Sequence, residues 1–144
     1  MRADDRHGAA PDTLPVDEAT PVVAPDGSVL RPLCRLAGAG SFSEFTLRPG
    51  QVSGAVSHAT VQEIWYVVAG SGQIWRRHAG RETITALRPG LCLTIPLGTA
   101  FQFRADPASE PLRLVAATMP PWPAQDAAEA RAERGPWTPT VKPA

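Results

Sequence analysis

The sequence predicts an all-β domain, a sandwich or a barrel. Short runs rich in Val, Ile, Leu, Phe, Thr and Trp fill the middle of the chain, and Gly or Pro separates them roughly every 8 to 12 residues, as in such folds. Only residues 125–134 have a composition that favours two or three helical turns. The predicted strands lie near 29–36, 41–47, 54–59, 62–69, 73–79, 82–87, 91–95, 100–105 and 111–118.

A repeated segment supports a barrel with two equivalent halves. Leu-Arg-Pro-Gly occurs at residues 47–50 and again at 87–90. Each copy follows one predicted strand and precedes another, and proline is tolerated there because loops and strand starts need no amide donor. The two copies therefore indicate equivalent hairpins of a double Greek-key barrel.

The two ends of the chain lack this pattern. Residues 1–27 hold prolines and acidic residues without periodicity, which predicts a flexible or loosely docked arm. The barrel is predicted over residues 28–119. In the tail at 120–144, Trp122 and Trp137 stand beside prolines, and we expect this tail to pack on the barrel or on a second subunit.

Composition limits the classes of function. The 144 residues suit one domain, and 14 basic against 14 acidic residues leave no net charge and no basic stripe for nucleic acid. No apolar run approaches the roughly 20 residues of a membrane span, and the polar start does not resemble a signal peptide. We therefore expect a cytoplasmic protein that binds neither nucleic acid nor membrane. Cys34 and Cys92 are expected to be buried thiols.

Residues 50–70 carry a motif that identifies a family. Gly50 is followed after five residues by Val56, and His58, Glu63 and Gly70 follow at spacings typical of the first cupin motif. In that motif two His positions precede the Glu, and here Val56 occupies the first of them. The chain resembles the cupin superfamily over residues 29–118.

The second cupin motif is present without its metal ligand. Gly90, Pro96 and Gly98 fall at the expected spacing, but Phe101 stands where the motif has His, or Ala100 if the turn is one residue shorter. The resemblance implies a jelly-roll barrel of two sheets, an interior pocket and frequent dimerisation. In metal-bearing cupins, three His and one Glu hold iron, manganese, nickel, copper or zinc.

His58 and Glu63 remain as candidate catalytic residues. They flank the predicted turn between two antiparallel strands, so both side chains can point into the barrel. A nearby carboxylate would favour a charged imidazole, whereas an apolar pocket would raise the pKa of Glu63 and lower that of His58. In either case a sheltered His and carboxylate can act as general acid and base. The alternative is an internal hydrogen-bonded pair with only a structural role.

A metal site would need a third ligand. If the Gly-Ser-Gly hairpin has an even-numbered loop, Glu63 pairs with His78, and a His58–Glu63–His78 set could bind iron or zinc. With an odd-numbered loop, Trp75 and Arg77 would face the pocket instead. The sequence favours no cofactor, and a divalent Fe, Mn, Ni, Cu or Zn ion is the alternative.

The remaining pocket residues follow from strand alternation. Trp65 and Val67 share a face with Glu63, and Phe101 and Phe103 lie on the opposite wall if the motif spacing is kept. Such walls suit a flat apolar or aromatic ligand oriented by a few polar groups, unless the aromatic side chains fill the barrel. The candidates for those polar groups are Gln73, Arg77 and Gln102.

The leading hypothesis is an enzyme for a small organic molecule, an isomerase, cyclase or lyase that uses acid–base chemistry. The resemblance suggests secondary metabolism as its setting, and it implies a homodimer. One alternative is a cupin that binds a small molecule without turnover. The other is a metal-dependent oxygenase that uses His58, Glu63 and His78.

Overall fold

The computed structural model describes residues 10–123 and 129–143, and these are almost entirely β-stranded. A short 3-10 turn occupies Val16–Glu18. No helix in the described ranges is long and apolar enough to cross a membrane. The strands are β1 (Val22–Val23), β2 (Val29–Leu36), β3 (Gly40–Leu47), β4 (Val56–His58), β5 (Gln62–Ala69), β6 (Gly72–His78), β7 (Arg81–Leu87), β8 (Cys92–Ile95), β9 (Ala100–Ala105), β10 (Leu112–Met119) and β11 (Ala130–Ala132).

The strands form two antiparallel sheets that pack face to face. One sheet has six strands in the order β1-β2-β3-β10-β5-β8, and the other has five in the order β11-β4-β9-β6-β7. Strands β2 to β10 lie where the sequence predicts strands, with ends that shift by a few residues at most. The predicted all-β barrel is therefore confirmed.

Side-chain alternation fills the space between the sheets. In β10, Leu112, Leu114 and Ala116 are buried while the residues between them are partly exposed, the pattern of a strand with one face on a core. Trp65 of the six-stranded sheet meets Phe103 of the five-stranded sheet edge to face, with 5.3 Å between ring centroids. The other large core residues include Phe45, Leu47, Val67, Ile74, Leu87, Leu93, Ile95 and Phe101.

The two Leu-Arg-Pro-Gly segments fold as equivalent turns. Gly50 has φ 81° and Gly90 has φ 88°, and in each turn the next amide donates to the arginine carbonyl, at 3.0 and 3.1 Å. A glycine with positive φ at the third position is what a type II turn requires, and proline at the second position is common in such turns. The repeated sequence thus corresponds to a repeated structure in the two halves of the barrel.

The predicted hairpin between β5 and β6 is wrong. Strand β5 pairs with β10 and β8 in one sheet, whereas β6 pairs with β9 and β7 in the other. Glycine is needed at this crossing because the backbones approach closely: a Cβ on Gly72 would overlap the carbonyl oxygen of Arg104. Neither the even nor the odd loop register applies, and the pairing of Glu63 with His78 does not form.

Both chain ends contact the barrel where the structure describes them. Within the predicted arm, β1 pairs with β2, and Ala19, Ala24 and Asp26 are buried. In the tail, residues 130–132 form β11 beside β4, so the predicted helix is wrong there, while residues 125–128 lie outside the described residues. Because β4 is an outer strand with backbone groups to satisfy, a tail strand is the favourable partner.

Candidate active site

An apolar cavity of about 170 Å³ lies between the two sheets. His58 at the end of β4 and Glu63 at the start of β5 both line it, together with Trp65 and Phe101. Alternation along β5 places Glu63 and Trp65 on the inner face, which is the orientation that the sequence predicts. The cavity is smaller than the roughly 300–1,000 Å³ typical of sites for drug-sized ligands, so it suits a compact molecule.

The His58 and Glu63 side chains are close but are not hydrogen-bonded to each other. The His58 Nδ1 atom lies 3.6 Å from Glu63 Oε1, and the two side chains are 7% and 10% exposed. Thr118 Oγ1 donates to Glu63 Oε2 at 2.7 Å, and Trp65 Nε1 lies 3.3 Å from Oε1. Within the described residues, His58 Nδ1 has no hydrogen-bond partner despite being buried.

Burial shifts the pKa values of His58 and Glu63 in opposite directions. Burial lowers the pKa of His58 to about 4, although the nearby Glu129 carboxylate acts in the opposite direction. Burial raises the pKa of Glu63 to about 7, against the lowering effect of the Thr118 and Trp65 hydrogen bonds. At neutral pH the imidazole is therefore uncharged and the carboxyl group is about half protonated, as expected for an apolar pocket.

The tail places a carboxylate directly behind the β4–β5 turn. Glu129 is 1% exposed, and it accepts hydrogen bonds from Thr60 N, Thr60 Oγ1 and Val61 N at 2.8, 2.7 and 2.8 Å. These bonds, together with His58, outweigh burial and lower the pKa of Glu129. The turn that separates His58 from Glu63 is thus fixed from outside the barrel.

Aromatic rings hold the imidazole in place. The His58 ring meets Phe101 and Trp122 edge to face, with centroids 5.3 and 5.0 Å away. Trp122 also donates its backbone amide to Ser41 Oγ at 3.0 Å. A tryptophan from the tail therefore forms part of the cavity wall.

His58 also borders a second, polar depression of about 320 Å³. Arg77, Arg131 and Glu133 line this depression. His58 therefore lies between the apolar cavity and this polar depression.

Five of the predicted ligand-contact residues do not line the cavity. Val67 and Phe103 lie in the fully buried core. The other three lie on the outer face of the five-stranded sheet, where tail residues bind to them or cover them: Gln102 Nε2 donates to the Trp137 carbonyl at 2.8 Å, Arg77 pairs with Glu133 at 3.0 Å, and Gln73 accepts from Arg104, whose guanidinium stacks on Trp137.

The three candidate ligands His58, Glu63 and His78 do not form a metal site. His78 bonds to Thr99 Oγ1 at 2.9 Å, and β9 separates its strand from that of His58. Two strand spacings amount to about 10 Å, whereas zinc ligands lie about 2 Å from their ion. Within the described residues, no group of three His, Cys, Asp or Glu side chains could hold a metal. The proposed His58–Glu63–His78 set is therefore not assembled.

Asp26, Thr118 and Trp122 are among the lining residues that the sequence prediction missed. Asp26 begins an Asp-Gly dipeptide, which is a hairpin signal, and the structure has a tight turn there between β1 and β2. That signal could have predicted the turn. Nothing local to the sequence shows that the turn lies against Glu63.

Comparison with known proteins gives structural neighbours only. No protein-family profile and no curated protein matches the chain. The capsular polysaccharide assembling protein CapF from Staphylococcus aureus matches with a TM-score of 0.66 and 19% identity over 85% of this chain and 33% of CapF. Streptomyces Pac13 with uridine matches with a TM-score of 0.67 and 14% identity over 88% of this chain and 93% of Pac13.

This chain covers different shares of the two neighbours' lengths. The chain spans about a third of CapF, which has also been solved with the inhibitor 3-isopropenyl-tropolone. It spans nearly all of Pac13, which is described as a nucleoside dehydratase. At these identities the likeness shows the fold, and that fold agrees with the two sequence motifs. The chain is a double-stranded β-helix of the cupin type.

Proposed function

We propose that this protein is an enzyme that performs acid–base chemistry on a small organic molecule inside the cavity, as an isomerase, cyclase or lyase. The observation that carries the proposal is the buried pair of His58 and Glu63, which line one cavity 3.6 Å apart. Neighbouring groups whose environments shift their pKa values in opposite directions are characteristic of a catalytic acid and base.

The protonation states assign the two roles. Above pH 4 His58 is uncharged, and its unpartnered Nδ1 can accept a proton from a carbon acid. Below pH 7 Glu63 holds a proton that it can donate to a leaving hydroxyl group. In an elimination, the C–H electrons form the new double bond, the C–O bond breaks, and the hydroxyl leaves as water with the Glu63 proton.

The same geometry allows the enzyme to return to its starting state. After one elimination His58 carries the extra proton and Glu63 is ionised. Transfer of that proton across the 3.6 Å between Nδ1 and Oε1 restores both groups. An isomerisation needs the same two groups, with the proton returned to a different carbon.

The likeness to Pac13 supports a lyase among the three reaction classes. Pac13 is described as a nucleoside dehydratase and has been solved with uridine, and this chain covers 93% of its length. We therefore infer that loss of water from a small hydroxylated compound is the reaction to test first.

A panel of β-hydroxy ketones and aldehydes in D2O tests the proposal. Proton NMR follows both exchange of the α-hydrogen and loss of water. We expect turnover of at least one compound, reduced by 10²-fold or more in His58→Ala and in Glu63→Gln, the range usual for a positioned acid or base. Gln73→Ala, on the outer face of the barrel, is the matched control and should retain activity. Equal rates in all four proteins would contradict the proposal, and ligand binding without exchange would favour a non-catalytic binding protein.

We further propose that the protein is a homodimer, joined through the outer face of the six-stranded sheet. On β5, Ile64, Tyr66 and Val68 point outward and are 44%, 47% and 38% exposed. The solvent face of an antiparallel sheet is normally polar, and a contiguous apolar patch is typical of an interface.

A further inference from the structure

Asp26 is a second buried carboxyl group in the wall of the cavity, and the acid–base pair does not account for it. The residue is 8% exposed. Its Oδ1 atom accepts hydrogen bonds from Ser28 N at 2.9 Å and Ser28 Oγ at 2.6 Å. Within the described residues no donor reaches Oδ2. One oxygen is therefore saturated by the protein, and the other remains available to a ligand.

The turn that carries Asp26 is held rigidly against the barrel. Its backbone carbonyl accepts from Gly54 N at 2.8 Å. The next residue, Gly27, has φ 90°, and Val141 of the tail packs so closely that a Cβ on Gly27 would lie 2.6 Å from Val141 Cγ2. Because the turn is fixed by both the barrel and the tail, the carboxyl group is oriented before any ligand arrives, which lowers the entropic cost of binding.

The charges around the cavity favour one kind of ligand. Asp26 and Glu63 are both buried acids, and burial raises the pKa of each. Among the described lining residues the cationic side chain is that of Arg35, which is exposed to water. His58 is uncharged above pH 4. An anionic ligand would therefore bring a negative charge into an apolar space, and among the described lining residues no buried cation would compensate it.

We propose that Asp26 is the specificity-determining residue of this cavity, and that it selects a compact, largely apolar molecule bearing an amino or hydroxyl group and disfavours the corresponding carboxylate. The donor of such a group would satisfy the free oxygen of Asp26, while the aromatic walls take the apolar part. The inference rests on the proposed function only in that the cavity is the ligand site, and it requires no turnover.

Three probes of one shape test the selection: benzylamine, benzyl alcohol and benzoate. Each is titrated at pH 7.5 into the full chain while NMR follows the indole N–H signals of Trp65 and Trp122, both of which line the cavity. We expect saturable binding of the amine and the alcohol, and a Kd for benzoate at least tenfold higher. In Asp26→Asn, which replaces the carboxyl group by an amide of nearly the same shape, the ratio between the benzoate and benzylamine Kd values should fall tenfold or more.

The control is Glu82→Gln. Glu82 is an exposed carboxylate that pairs with Trp75 outside the cavity, so the ratio should be unchanged. If Asp26→Asn does not fold, Asp26→Ser, whose hydroxyl can still pair with Ser28, replaces it.

Benzoate binding as tightly as benzylamine would overturn the inference, as would an unchanged ratio in the Asp26 variants or no saturable binding of any probe. Undiminished catalysis in Glu63→Gln would instead overturn the acid–base proposal and leave the selectivity of Asp26 intact.

Discussion

At the scale of single residues, burial decides the charge of the proposed base and acid. Between the pKa of His58 at about 4 and that of Glu63 at about 7, the base is free and the acid is protonated. We therefore expect kcat/KM to be level near pH 5 to 6 and to fall about tenfold per pH unit above pH 7. A pH–rate profile on any compound that turns over checks this. A rise through pH 7 would show that Glu63 is the base.

The raised pKa of Glu63 also predicts a gain in stability when the carboxyl group is removed. The unfolded chain loses this proton near pH 4.5, whereas the folded chain holds it to about pH 7. The protonated group therefore favours folding below pH 4.5, and this contribution is lost as the pH rises to 7. The interval corresponds to about 3 kcal/mol. In urea unfolding, Glu63→Gln should be more stable than wild type by up to that amount at pH 8, and by much less at pH 5.

The control for this comparison is Glu110→Gln, which makes the same substitution at an exposed position and should leave the free energy of unfolding within about 0.5 kcal/mol of wild type. An equal gain for Glu63→Gln at both pH values would show that packing, rather than titration, causes it. A stability gain accompanied by loss of turnover is the pattern of a carboxyl group retained for function.

The sequence could place His58 and Glu63 but not their surroundings. Strand alternation places both side chains on the inner face, although β4 and β5 do not pair across their turn as predicted, because they belong to different sheets. Asp26 reaches the cavity from the β1–β2 turn and Thr118 from β10, both distant in the sequence from Glu63, so no local pattern relates them to it. Gln102 alternates outward, and it is buried only because the tail covers that face.

At the scale of elements, local patterns predicted where strands occur but not which strands pair. Hydrophobic alternation and Gly or Pro punctuation are local properties, and β2 to β10 followed them. Pairing is decided by long-range packing. The glycine-rich link after β5 resembles a hairpin turn, yet it crosses from one sheet to the other. The tail strand was missed because Ala, Glu and Arg favour a helix until the unpaired edge of β4 offers hydrogen bonds.

The tail should control both stability and catalysis through Glu129. Glu129→Ala would leave two backbone donors of the β4–β5 turn, the partly buried Thr60 N and the buried Val61 N, without their acceptor. We expect a loss of about 2–3 kcal/mol in the free energy of unfolding. We also expect a lower kcat, because His58 and Glu63 lie at the two ends of this turn.

The matched control for the tail is Glu133→Ala. It removes the ion pair with Arg77, in which the two side chains are 28% and 36% exposed, and the hydrogen bond from Ser57 Oγ at 2.8 Å, but no backbone donor, so it should cost about 1 kcal/mol. Urea unfolding and steady-state kinetics on both variants measure these effects. Equal losses of stability and of kcat in the two variants would show that Glu129 supports the β4–β5 turn no more than Glu133 does.

At the scale of the whole molecule, the tail covers one outer face of the barrel and leaves the other exposed. The tail covers the five-stranded sheet with Trp137, which packs over Trp75 and Ala100. On the six-stranded sheet, Tyr66 of β5 lies between Val115 of β10 and Cys92 of β8, and it remains nearly half exposed. Cys92 was predicted to be buried, but it is exposed on this face. A second copy of the chain would bury the exposed apolar side chains of the six-stranded sheet, as the tail buries those of the five-stranded sheet.

Sedimentation equilibrium at micromolar concentration should therefore give twice the chain mass of 15.3 kDa. Tyr66→Glu places a charge at the centre of the apolar face, where a desolvated carboxylate has no partner, so this variant should sediment as a monomer with unchanged circular dichroism. Ala86→Glu, at an exposed position of β7 in the other sheet, should remain dimeric. A monomeric wild type would contradict the interface, and a dimeric Tyr66→Glu would move it to another surface. Because Glu63 and Trp65 alternate with Ile64 and Tyr66 along β5, this strand would join the catalytic face of each barrel to the interface.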